Sequence, residues 1–268
     1  MSDVGSVHEH SPRPPAVHRA HVVLDLGTSR TRSLSLDGFA IADRPSAVVV
    51  PSPESAAGMP VRPIRRGMVV DPGACLRLVH LVLQDAWLSG GRPLEHVMAG
   101  VPRAATGSDR QAVRTAVAEA AGCEVTLVEA PLAAAAGAGV DIAGPGPYLV
   151  LDVGAGIVEA VVVSGGFVTD AAALQLSATT SAGLLPDALE GVVEMTAGLL
   201  RRQPAHLRPA ARANGLTVTG GGALQTRLLD RLHTVLRTQV TATPEPQHAT
   251  IRGLLRLCLR PAAPVIAL

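Results

Sequence analysis

One pattern of apolar and polar positions occurs twice in this chain. His21-Val-Val-Leu-Asp25-Leu-Gly27-Thr28 returns as Tyr148-Leu-Val-Leu-Asp152-Val-Gly154-Ala155-Gly156. Each copy reads as an apolar strand that ends in Asp-x-Gly, turns, and continues as a second strand. The second strand then meets another glycine turn, Asp37-Gly38 in the first copy and Gly165-Gly166 in the second, at the same spacing from the aspartate. A repeated strand–turn–strand–turn unit predicts a duplicated, two-lobed fold in which each lobe presents one acidic, glycine-bearing hairpin to a shared cleft.

The rest of the chain alternates between strand and helix patterns. Strands are expected at 20–26, 31–37 and 39–43, with a further apolar run at Ala47–Val50 and a Pro-, Ser- and Arg-rich connecting loop over 51–66. Asp71-Pro72-Gly73 opens a helix to Trp87, because Leu76, Val79, Leu83 and Trp87 recur at helical spacing. His96–Val101 is a strand, Ser108-Asp109 caps a helix over 110–121, and Glu124–Glu129 is the next strand. Pro131 starts an alanine-rich helix to Gly139. The second meander runs from Tyr148 to Leu176 and is followed by a helix from Leu185 to Arg202 and a loop punctuated by Pro204 and Pro209. Leu216–Thr219 is a strand running into Gly220-Gly221-Gly222, which opens a helix over 223–236. A strand at 238–240 and a helix at 250–259 complete the pattern. The class is α/β with mixed sheets. Residues 1–20 read as a disordered tail, 21–145 as the first lobe and 146–268 as the second.

Composition narrows the chemistry. The 268 residues include 47% hydrophobic but only 1% aromatic residues, so Ala, Val and Leu must build the core. All 23 basic residues are arginine, which excludes any mechanism needing a lysine base or a P-loop lysine. A formal net charge of +1 argues against nucleic acid as a partner, since backbone binding needs a concentrated basic face. Cys75, Cys123 and Cys258 are widely spaced and form no CxxC, as expected for thiols in a reducing cytoplasm. No run of 18 uninterrupted apolar residues and no signal-peptide core are present, so a cytoplasmic protein is expected, touching the inner face of a membrane only peripherally.

The glycine turns carry the candidate chemistry. Backbone N–H groups in a tight glycine turn converge on phosphate oxygens. A carboxylate at the strand end beside them can hold Mg²⁺, usually through water. The triple glycine clears side chains where backbone must approach a flat ring or a phosphate at a helix N-terminus.

These motifs resemble the phosphate and adenosine loops of the actin, Hsp70 and sugar-kinase superfamily. Asp25-Leu-Gly27-Thr28 is similar to its first phosphate loop, Asp152-Val-Gly154-Ala-Gly156 to its second, and Thr217-Val-Thr-Gly220-Gly-Gly-Ala223 to its adenosine loop. The MreB family of bacterial actin homologues is the nearest branch. Val61-Arg-Pro-Ile-Arg-Arg-Gly-Met-Val-Val-Asp71, the segment Val101–Arg114 and Val125-Thr-Leu-Val-Glu129-Ala-Pro131 through Gly139 all resemble it.

The resemblance implies a minimal, duplicated ribonuclease-H-like (actin-type ATPase) fold with ATP and Mg²⁺ as cofactors. It places Asp25 and Asp152 around Mg²⁺. Gly27, Thr28, Ser29 and Arg30 would meet the phosphates from one side, and Gly154, Ala155 and Gly156 from the other. Gly220, Gly221 and Gly222 would line the nucleoside, and Glu129 would orient the attacking water as the catalytic acid. The implied role is cytoskeletal, in cell shape or cell-wall organisation. Partners would be further copies of the chain, a full-length actin homologue, or cell-wall synthesis machinery.

Three departures qualify this reading. Ile157, Val158 and Glu159 stand where the family has two threonines and an aspartate, and Arg30 stands where asparagine is usual. The outer subdomains are largely missing, both before Val61 and between Leu176 and Leu185. Hydrolysis is therefore expected to be weak at best. The alternative is a pseudo-ATPase module that partners a full-length actin homologue without nucleotide, and a small-metabolite kinase is a distant third reading.

Overall fold

A computed structural model describes residues 20–36, 40–52, 55–87, 93–177 and 183–259. Two five-stranded sheets dominate it and share one topology. The first lies in the order β3-β2-β1-β8-β9, built from β1 (Ala20–Leu26), β2 (Arg30–Ser35), β3 (Ala42–Pro45), β8 (Leu94–Val101) and β9 (Glu124–Glu129). Between β3 and the first helix lie two small hairpins, β4 (Val48–Ser52) with β5 (Ser55–Val61), and β6 (Ile64–Arg65) with β7 (Met68–Val69). The helices here are α1 (Pro72–Trp87), α2 (Gly107–Ala121) and α3 (Ala130–Gly137). The second sheet, β12-β11-β10-β13-β14, comprises β10 (Tyr148–Val153), β11 (Ile157–Ser164), β12 (Phe167–Gln175), β13 (Leu216–Thr219) and β14 (Val240–Ala242). With it come α4 (Pro186–Arg202), α5 (Arg208–Asn214) and α6 (Thr226–Leu236), while α7 (Ala249–Leu259) packs on the first sheet.

In each sheet the first three strands form an antiparallel meander and the last two run parallel to the first strand. The central strands are apolar at nearly every position because both faces are covered. Val22, Leu24 and Leu26 face α1 and α2, whereas Val23 faces α7 and α3. Leu149, Leu151 and Val153 likewise face α4 and α6, whereas Val150 packs against Leu132 and Ala135 of α3.

The alanine run of α3 follows from its position. Ala133 and Ala136 join the core above the first sheet, while Leu132 and Ala135 join the core above the second. A helix shared between two sheets leaves no room for larger side chains. It also crosses α7 at backbone contact: a Cβ on Gly253 would lie 1.6 Å from the Ala133 carbonyl oxygen, and one on Gly137 would lie 1.8 Å from that of Ala249. The C-terminal helix thus lies on the first sheet, with Ile251 and Leu254 fully buried against Val23 and Met98. Burying each of these two side chains contributes about 1.5–3 kcal/mol.

Several sequence expectations change in the structure. The segment 51–66, expected as a loop, contains β5 and β6 and the end of β4, because Val48–Val50 pair across the proline-rich stretch with Met59–Val61. The cap of α2 is Thr106, whose hydroxyl accepts from the Asp109 N–H while the Asp109 carboxylate accepts from the Thr106 N–H. The triple glycine enters a short 3-10 turn, Gly221–Leu224, before α6 begins at Thr226. Pro209 opens the short helix α5 rather than punctuating a loop, since a proline in the first turn forfeits no helical hydrogen bond. The turn at Asp37-Gly38, the N-terminal tail and the C-terminal Val265–Leu268 lie outside the described residues. Among the described residues no helix is long and apolar enough to cross a membrane.

Candidate functional site

The two repeated hairpins are built alike. The Gly27 N–H donates to the Arg30 carbonyl at 3.1 Å, and the Gly154 N–H donates to the Ile157 carbonyl at 3.1 Å. A Cβ at either glycine would collide with that same carbonyl, at 2.6 Å and 2.7 Å, so the turn requires the missing side chain for space. The hairpin register then sets Asp25 opposite Arg32 and Asp152 opposite Glu159.

The hairpins meet. A Cβ on Gly156 would fall 2.3 Å from the Thr28 hydroxyl, so the tips of the two turns touch. Thr28 Oγ1 also accepts from the Gly67 N–H at 2.9 Å, tying the first turn to the β6–β7 hairpin. Beneath it, the Ser46 hydroxyl donates to the Gly27 carbonyl at 2.6 Å and shares a 2.8 Å hydrogen bond with Thr31.

Between the hairpins opens a cleft of about 430 Å³. Its walls include Asp25, Gly27, Thr28, Ser29 and Arg30 on one side, and Asp152, Gly154, Ala155 and Gly156 on the other. Gly220, Gly221 and Gly222 also line it. These glycines are packed against the second hairpin: a Cβ on Gly222 would meet Val153 Cγ1 at 2.2 Å, and one on Gly220 would meet the Val153 carbonyl at 2.5 Å.

Buried acids line the base of the cleft. Burial pushes the Asp25 carboxyl up to about 6; Arg32 opposes the rise and the charge of Asp152 adds to it. Asp152 is also raised by burial, against a 3.0 Å hydrogen bond donated by the Thr219 hydroxyl. Glu159, 3% exposed, accepts from the Ala104 N–H at 2.9 Å, and burial lifts it to about 7.

Two candidate residues take positions that the motif comparison did not foresee. Glu129 ends β9 with Ala130 on the cleft wall beside it, but its carboxylate is engaged by Arg103 at 3.2 Å and Arg110 at 3.8 Å. Arg30, on the cleft wall, reaches across to β3, where its Nε donates to Asp43 Oδ1 at 2.8 Å and its Nη2 to the Asp43 carbonyl at 3.0 Å. Sequence reasoning missed Arg32, which bridges Asp25 (3.6 Å) and Asp43 (3.2 Å) with only 12% of its side chain exposed. The signal was available, since a hairpin closed at Gly27 and Arg30 places Arg32 across from Asp25. It also missed Gln247, on the cleft wall, whose Oε1 is buried without a hydrogen-bond partner.

Two sheets of identical topology, a shared helix between them and paired aspartate–glycine hairpins over one cleft define an actin-type ATPase fold. The MreB/Mbl protein family profile matches residues 58–180. Within the same range of similarity, the cell shape-determining protein MreB of Escherichia coli is 29% identical over 163 residues, covering 53% of this chain and 47% of that protein. MreB of Haemophilus influenzae is 31% identical over 106 residues, covering 39% and 30%. The chain thus spans about half the length of the curated relatives it matches. Among solved structures, MreB5 of Spiroplasma citri bound to ADP superposes with a TM-score of 0.77 at 17% identity, covering 90% of this chain and 96% of that one. A MamK double helical filament superposes at 0.72, also at 17% identity, over 90% and 99%. Over residues 58–180 the chain is similar to the MreB/Mbl family, and its fold is of the actin type.

Proposed function

We propose that this protein is a nucleotide-dependent cytoskeletal element that binds Mg-ATP in the interlobe cleft, hydrolyses it weakly or not at all, and associates with further copies of itself in the organisation of cell shape. One observation carries the reading: two acidic glycine hairpins, one from each lobe, touch at Thr28 and Gly156 over a cleft of ligand size. The residues suit the cofactor. Burial forces both the Asp25 and the Asp152 carboxyls upward, and the charge of Asp152 adds to the rise at Asp25, so a hard cation held beside them would relieve a cost the free protein bears. The Gly27 and Gly154 N–H groups are spent closing their turns, and the neighbouring amides at Thr28–Ser29 and Ala155–Gly156, on the cleft wall, are the ones suited to phosphate oxygens. Mg²⁺, when bound, supplies charge neutralisation at the phosphates.

Weak hydrolysis follows from the positions of the acids. Burial raises the Glu129 carboxyl above its ordinary value, and Arg103 and Arg110, which oppose that rise, compete with any water it could orient. Self-association is supported by the filament formed by MamK, a protein of the same fold. A head-to-tail contact between identical subunits that does not close on itself extends into a filament.

Isothermal titration with Mg-ATP tests the nucleotide half. Saturable heat from the parent chain, lost in Asp25→Ala and Asp152→Ala, is expected; a parent chain without heat ends the proposal. Sedimentation with and without Mg-ATP tests assembly, with nucleotide-dependent pelleting as the expected result.

A further inference from the structure

At the end of the first sheet remote from the glycine turns, three metal-ligating side chains come together. His21 of β1 and His96 of β8 are register partners on neighbouring parallel strands, and their rings lie 5.9 Å apart, centroid to centroid. Cys258, in the last turn of α7, completes the group, and one ligand atom from each of the three lies within 4.8 Å of the others. All three are half-buried. Nothing in the nucleotide reading uses them, and their sequence separation hides the cluster from motif inspection.

We propose that His21, His96 and Cys258 form a transition-metal site of Zn²⁺ type that fastens the C-terminal helix to the first sheet. Two imidazoles and a thiolate are the ligand set that Zn²⁺ favours, in tetrahedral geometry with one further position for water or a carboxylate. Ideal bond lengths place such donors about 3.5 Å apart. The surroundings are those of an outer ligand sphere. His96 Nε2 hydrogen-bonds the Thr126 hydroxyl at 2.8 Å, and His21 Nε2 lies 3.6 Å from Glu95 Oε2. A tautomer that donates Nε2–H to these partners leaves each Nδ1 lone pair for an ion, the arrangement by which second-sphere groups orient metal-binding histidines.

Protonation states agree with this assignment. Burial and the neighbouring His21 lower the His96 pKa, favouring the neutral ring a metal needs. Burial raises Cys258, so the metal-free chain carries a thiol there, and metal binding forms the metal–sulfur bond with release of that proton. The ion would link residue 258 to β1 and β8 and thereby hold α7 across α3, the crossing that joins the two lobes.

Anaerobic titration of the full chain with Co²⁺ reads the site directly. One equivalent is expected to produce thiolate-to-cobalt charge-transfer absorption with tetrahedral d–d bands. Cys258→Ser should abolish the charge transfer, His21→Gln should weaken binding at least tenfold, and Cys123→Ser should leave both unchanged. Cobalt bands without thiolate character would place the ion on ligands other than Cys258. Charge transfer lost in Cys123→Ser would place it on another thiol. Either result, or no band at all, overturns the assignment. Alkylation of the unmutated chain with iodoacetamide, mapped by peptide mass, provides a second reading that no misfolded variant can obscure. One equivalent of Zn²⁺ should slow labelling of Cys258 at least tenfold, and equal labelling would contradict the site.

Discussion

Arg32 stands across the β1–β2 ladder from Asp25, with its Nη1 3.6 Å from Oδ2, deep in the cleft wall. The equivalent place in the second hairpin, opposite Asp152, belongs to Glu159. A duplicated scaffold has therefore been given opposite charges at matched positions. The first aspartate is partly compensated and the second sits beside another buried acid.

Removing the compensation should show itself in titration. In Arg32→Gln the Asp25 carboxyl is expected to titrate above its present value of about 6, because burial and Asp152 would act unopposed by that guanidinium. Carboxyl-carbon NMR of Asp25 against pH checks this. An unchanged midpoint would show that Arg32 is electrostatically irrelevant to the site.

Stability should fall as pH rises. Asp25 moves from an ordinary 3.8 to about 6 on folding, and Glu159 from 4.5 to about 7. In that window the native state binds more protons than the unfolded chain, so stability is fully present below about pH 4 and is lost progressively towards pH 7. The loss is on the order of a few kcal/mol. Urea unfolding at pH 5 and pH 8 without nucleotide should give the higher midpoint at pH 5, apart from any general acid destabilisation at lower pH. Asp25→Asn and Glu159→Gln should each flatten the dependence.

Glu159 also serves the backbone. Its Oε1 accepts the Ala104 N–H, linking β11 of the second sheet to the loop that follows β8 of the first. Glu159→Gln retains an acceptor and removes the buried charge, so it is expected to be neutral or stabilising at pH 8. Glu159→Ala leaves the donor without its partner and should cost about 1–3 kcal/mol. Thermal unfolding of the two variants separates the roles.

The α3–α7 crossing predicts a reversal of the usual helix rule. Alanine ordinarily stabilises a helix relative to glycine by about 0.5–1 kcal/mol. At Gly137 and Gly253 the added methyl would meet the facing helix's backbone at under 2 Å, and neither helix can yield alone. Gly253→Ala should destabilise by about 3 kcal/mol, at the upper end of overpacking effects. Gly198→Ala is the control: it lies in α4, with only the far end of Arg201 near its Cβ position, and should be neutral or better. Chemical unfolding of both variants decides the point.

The chain order of elements was legible because local rules dictate it. Apolar runs ending in Asp-x-Gly can only be strands entering tight turns, and the spacing of Leu76, Val79 and Leu83 reads as one helical face. The β4–β5 hairpin was not legible, since proline and serine mark loops by composition while strand pairing there depends on Val48–Val50 finding Met59–Val61. Glu129 was legible as a residue at a strand end beside the cleft. Its pairing with Arg103 and Arg110 was not, because those arginines arrive from the loop after β8 and from α2.

By itself the sequence determined two copies of one hairpin, the aspartates at their strand ends and the glycines that permit their turns, all consequences of short-range geometry along the chain. Only the tertiary structure decided which face each helix covers, that α7 returns to the first sheet, and that His21, His96 and Cys258 become neighbours. Those outcomes depend on contacts between residues far apart in the chain, where packing complementarity rather than local periodicity selects the partner.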